Sequence, residues 1–268
     1  MKQILFIVLS VSVLYACRME ELPKAQLSKN VVFGSEEGLE MYVNSFYDVF
    51  PRRNTIFSVP SYYAAWPTVT RYLNPGLFSP DDQGGWSWGT LRNINFFIVN
   101  NNDPALSQTV RDNYTGIARF FRAYYYFGMM TTFGDLPWID KPLDVADPML
   151  TAGRDPRTLI IDKIKEDLDF AIANISNKKN SGASTITSTV AAAFKSRVCL
   201  WEGTFRKYHT EAGLQSSADQ WLQEAVSAAQ YVMDAGYGIY TGSGVENSYH
   251  DLFAAKIPIA QEVLYAVT

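Results

Sequence analysis

Residues 118–143 read ARFFRAYYYFGMMTTFGDLPWIDKPL. Ala118, Phe121, Tyr125, Met129 and Thr132 recur three or four residues apart and make one helical face. Phe120, Ala123, Tyr124 and Phe127 fill much of the remaining circumference, interrupted by Arg119, Arg122 and Thr131. A helix apolar nearly all round is a buried one, so this is the expected central helix. Gly134 can close it in the left-handed conformation, Asp135 can begin a turn, and Pro137 forces the chain out of helix. Trp138 and Ile139 then run on as an extended segment towards Pro142.

The same words carry a resemblance. Arg119, Arg122, Ala123, Tyr124, Tyr125 and Tyr126, followed by Phe133-Gly134-Asp135, Pro137 and Pro142-Leu143, closely resemble the most recognisable segment of the SusD/RagB family. Ile164-Lys165-Glu166-Asp167-Leu168-Asp169-Phe170-Ala171-Ile172 resembles that family's next helix. The resemblance implies a mainly α fold: a superhelix of tetratricopeptide-like (TPR-like) helix pairs with long aromatic-rich loops. It also implies a surface glycan-binding lipoprotein that serves a SusC-like TonB-dependent outer-membrane transporter. Such proteins are about twice as long as this chain, so the match covers the first half of the family.

The 268 residues are enough for a substantial core in one large domain or two. A net charge of −4 and scattered Lys and Arg give no nucleic-acid footprint. Two histidines, His209 and His250, without a cysteine cluster make no structural zinc site. No cofactor is implied. Cys199 sits in an apolar helical run and reads as an inert buried thiol.

Residues 1–16 have a short basic start and an apolar core too short for a membrane span, as in a signal peptide. Leu14-Tyr15-Ala16-Cys17 resembles a bacterial lipobox, with Cys17 as the lipid attachment point. The alternative is an ordinary secretory signal that happens to contain a cysteine. Multiple acyl chains on Cys17 would hold a soluble domain firmly at a membrane. Glu20-Glu21 just behind it resemble the export signal for the outer face of the outer membrane. Residues 17–34 are then a lipidated linker and 35–268 the helical domain.

Ser35 is placed to cap a helix carrying Leu39, Val43, Phe46, Tyr47 and Phe50, with Pro51 at its end. A further helix is expected from about Trp88 to Val99, and the central helix from about Ser107. Asp155-Pro156 should open the next helix, with Asp155 as cap. Lys163, Glu166, Asp167 and Asp169 read as its solvated face. Thr189 should cap the Ala-rich helix that follows, and another runs from Trp221 to Gly236. Ala191 and Ala225 stand one TPR length apart. Glu262–Thr268 reads as a strand.

Residues 52–85 differ from the rest. Pro60, Pro67, Pro75 and Pro80 break regular structure, yet Tyr62, Tyr63, Trp66, Tyr72 and Phe78 crowd the stretch. The run Asp81-Asp82-Gln83-Gly84-Gly85-Trp86-Ser87-Trp88 offers indoles for the apolar C–H faces of sugars and carboxylates or amides for hydroxyls. Trp86 and Trp88 would face one side of an extended segment, with at least one exposed. The candidate ligand residues are therefore Trp86, Trp88, Asp82, Trp66 and Tyr72. Packing of these rings in the core is the plainer alternative.

Glycan capture at the cell surface is the leading reading. A helical-repeat adaptor that binds only its transporter is a second. A surface glycosidase is a third, disfavoured because Asp81 and Asp82 point opposite ways in an extended strand and make a poor carboxylate pair. No catalytic residue is expected.

Overall fold

A computed structural model describes residues 29–51, 76, 79, 84–176 and 182–267. Among them are eight α-helices and no strand beyond a single bridge. A short α1 (Lys29–Phe33) leads to α2 (Glu36–Asn44), and α3 (Gly89–Asn100) precedes the long α4 (Gln108–Phe133). Then come α5 (Arg157–Asn174), α6 (Ser188–Tyr208), α7 (Ala218–Asp234) and α8 (Gly244–Ala254). The fold is mainly α and TPR-like, as the resemblance implied.

The helices start where their polar residues can satisfy backbone N–H groups. The Ser35 hydroxyl accepts from Gly38 N, and that of Ser107 from Val110 N. Two expected caps are displaced. Thr187, not Thr189, accepts from Val190 N at the head of α6. At the head of α5 the Asp155 carboxylate instead accepts from Trp138 N, at 2.8 Å. Asp135 caps α5 from a distance in sequence, accepting from Arg157 N at 2.8 Å.

α4 is the centre. Phe120, Phe121, Ala123 and Tyr126 are fully or almost fully buried along it. Phe46, Tyr47 and Phe50 pack on Phe121, as Phe194 of α6 does on Phe120. α4 and α5 run antiparallel: Asn113 at one end accepts from Ser176 N, and Asp135 at the other from Arg157 N. α6 and α7 form a second antiparallel pair, with Ser188 bonded to Tyr231, Lys195 to Glu224 and Arg206 to Ser217. Contact between α5 and α6 joins the two pairs. Gly203 lets α6 approach α7, since a Cβ there would lie 2.7 Å from the Leu222 side chain.

The acids of α5 are not all solvated. Asp167 is 1% exposed and sits between Arg119 and Arg122. It falls three residues after Ile164 and seven after Ile160, on the apolar stripe itself. Leu159, one residue before Ile160, is exposed.

Residues 262–267 form no strand. They turn back so that Ala266 N donates to Ala183 O at 2.7 Å and Tyr265 packs on Phe50. Cys199 is fully buried, and burial pushes its thiol up to about 12.

Candidate functional site

The end of α4 builds the support for the indole-bearing loop. Gly134 takes a positive φ of 73° with ψ −116°, so the chain leaves the helix sharply, though not in the expected left-handed helical geometry. Leu136 pairs with Asp155 in an antiparallel bridge, with N–O distances of 3.2 and 2.9 Å. The Tyr126 hydroxyl donates to Pro137 O and accepts from Ile139 N. Burial pushes that phenol up in pKa, so it is neutral and can do both. The Arg122 guanidinium lies 5.1 Å over the Trp138 ring. This network pins the Gly-Asp-Leu-Pro-Trp exit to α4, α5 and the segment before α5.

The preceding tyrosine reaches the other way. The Tyr125 hydroxyl donates to Ser87 O, between Trp86 and Trp88. Burial pushes this phenol up to about 12. Gly85, at φ 98°, turns the loop just before the pair. The two indoles meet edge to face, with centroids 5.2 Å apart and planes at 85°. Trp86 also meets Phe133 edge to face at 5.1 Å, and the Arg154 guanidinium lies 4.7 Å over it. Trp86 is 43% exposed, whereas Trp88 is half-buried beside Tyr125 and Tyr126.

Of the residues singled out in the sequence, Trp86 and Trp88 come together. Asp82, Trp66, Tyr72 and Cys17 lie outside the described residues. Arg154, Phe133 and Tyr125 join the indoles without having been expected there. Tyr125 was visible as part of the Tyr-Tyr-Tyr run, but nothing local in the sequence marks Arg154.

Trp88 also walls a pocket of about 270 Å³. Its lining is Gly89, Leu91 and Arg92 from the start of α3, and Ile139, Lys141, Leu143 and Leu150 from the segment after α4. Exposed and half-buried rings, a guanidinium and an adjoining apolar pocket suit non-covalent recognition by stacking and a few hydrogen bonds. Among the described residues, no three His, Cys, Asp or Glu gather to hold a metal ion. Nor is any described helix long and apolar enough to cross a membrane.

Comparison with known proteins bears on what such a surface serves. The sequence model of a SusD-like family, described as starch-binding and associating with the outer membrane, matches residues 91–200. That interval holds α4, its pinned exit and α5. Over that interval the chain is similar to the SusD-like family. A SusD-like protein P2 of Formosa agariphila is 25% identical over 236 residues, covering 78% of this chain and 45% of the relative. Among solved structures, a SusD-like protein from Bacteroides fragilis superposes with a TM-score of 0.60 at 17% identity, covering 88% of this chain and 45% of the other. A SusD superfamily protein from Bacteroides vulgatus does so with a TM-score of 0.52 at 20% identity, covering 67% and 34%. The chain thus spans about half the length, or less, of the proteins it matches.

Proposed function

We propose that this chain captures a polysaccharide or oligosaccharide at the cell surface, anchored to the outer membrane through lipidated Cys17. It then passes the glycan to a SusC-like TonB-dependent transporter. The observation that carries the reading is the exposed Trp86 ring held edge to face against Trp88 and Phe133. Such rings are fixed before a ligand arrives, so stacking a sugar on them orders little else. The family whose model matches residues 91–200, starch-binding and associating with the outer membrane, points the same way. Asp82, Trp66 and Tyr72, close in sequence to this pair, are proposed as further ligand contacts. The task needs no covalent step. Affinity electrophoresis through gels cast with different polysaccharides, with reducing ends followed in parallel, tests it. Retardation by a polysaccharide without new reducing ends supports capture. New reducing ends would make the protein a glycosidase, and no retardation by any polysaccharide would favour a transporter adaptor.

A further inference from the structure

We infer that the pocket beside Trp88 takes an anionic sugar residue, so that the glycan captured is an acidic one; this rests on the capture reading. Two facts about the pocket matter together. Its floor is apolar, made by Leu91, Ile139, Leu143 and Leu150, and Trp88 forms one wall. Its charged lining is entirely cationic, Arg92 and Lys141.

The two cations are not equivalent. Lys141 is bonded to Asp147 at 2.9 Å, and that bond raises its pKa. Asp140 and Asp144 flank it as well. Its charge is therefore largely answered within the protein. Arg92 is exposed, and among the described residues its guanidinium has no ion-pair or hydrogen-bond partner. The first turn of α3, where the pocket opens, carries no acidic side chain. An unanswered guanidinium at the mouth of an apolar pocket is a fork for a carboxylate or sulfate. At about 270 Å³ the pocket lies near the lower limit of ligand sites, which suits one sugar ring rather than a chain. A polymer stacked on Trp86 would thus place one ring against Trp88, with its acidic group towards Arg92.

The test is calorimetric titration of the protein and of its Arg92→Gln variant. The probes are oligogalacturonate, oligoalginate and sulfated galactan oligomers, each against a neutral counterpart: the methyl ester, or the desulfated chain. Arg92 is exposed, so the variant should fold, and circular dichroism checks it. The expected result is tighter binding of at least one acidic form than of its neutral counterpart. Arg92→Gln should weaken that binding by about tenfold, the size of one charge-assisted hydrogen bond, and weaken the neutral counterparts by less, so that the preference for the acidic form shrinks. Carboxylate and sulfate arms distinguish the two sources of charge. Equal binding of acidic and neutral forms, or no effect of Arg92→Gln, would overturn the inference and leave glycan capture standing. Failure of every oligomer and polymer, charged or neutral, would overturn both.

Discussion

Arg122 grips Asp167 with two nitrogens, Nε at 2.6 Å from one carboxylate oxygen and Nη2 at 2.7 Å from the other. Arg119 Nε adds a third bond at 2.6 Å, and Asn95 of α3 accepts from Arg122 Nη1 at 3.3 Å. One buried carboxylate thus ties α4 to α5, and through Asn95 to α3. Removing it would leave a nearly buried guanidinium without its counter-ion. Asp167→Ala is expected to destabilise the protein by roughly 3–5 kcal/mol in urea unfolding. The double variant Asp167→Leu with Arg122→Met should be the less damaged of the two, because no unpaired charge remains. Equal losses would mean that packing, not charge pairing, dominates there.

Gly203 and Leu222 set the spacing of α6 on α7. A Cβ at Gly203 would also lie 3.1 Å from the Leu222 backbone nitrogen, where yielding is difficult. Gly203→Ala is expected to cost about 1–3 kcal/mol despite its better helix propensity. Gly128 of α4 has nothing within 4 Å of its would-be Cβ. Gly128→Ala should therefore be neutral or stabilising, and thermal melts should show a lowered Tm for Gly203→Ala only.

Lys165 and Lys195 bind Asp169 and Glu224 in a half-buried network across α5, α6 and α7. Hydrogen bonding to Lys195 holds Glu224 below its usual range. Burial alone would raise Asp169, but bonds from Lys195 and Lys165 outweigh it and hold it low. Depressed acids stabilise the fold above their unfolded pKa values, about 3.9 for Asp and 4.3 for Glu, and lose that contribution as pH falls through the folded values. The Tm advantage of the wild-type protein over Glu224→Gln should be full at pH 6 and shrink below about pH 4. A constant advantage down to pH 2 would contradict this.

Cys199, fully buried with its thiol pushed up to about 12, should be unreactive in the folded protein. In a Cys17→Ser chain, a thiol-specific chromogenic disulfide should titrate no thiol at pH 8 until denaturant is added. Rapid labelling without denaturant would show that α6 opens readily.

The helices were legible because their periodicity and caps are local. Ser35 and Ser107 stand where the structure uses them, and α4 ends at the expected Phe133-Gly134. What escaped was decided at a distance. Asp167 looked solvated because it stands among Glu166, Asp169 and Lys163, although its register places it on the buried stripe. Asp135 caps a helix that begins 22 residues later, which no local motif announces. Glu262–Val267 has a strand-like composition but turns back on Ala183 instead of joining a ladder. In the site, the Trp-Ser-Trp spacing predicted two rings on one side, and the rings touch. Arg154 was invisible because the Leu136–Asp155 bridge, formed only in three dimensions, brings it to Trp86.

Calorimetric titration with a polysaccharide that retards the protein measures whether Trp86 and Trp88 bind sugar. Trp86→Ala and Trp88→Ala should each weaken binding by about 2 kcal/mol, or roughly thirtyfold, with melting temperatures little changed for the more exposed Trp86. Undiminished affinity in a folded Trp86→Ala protein would contradict the account and move the binding surface elsewhere.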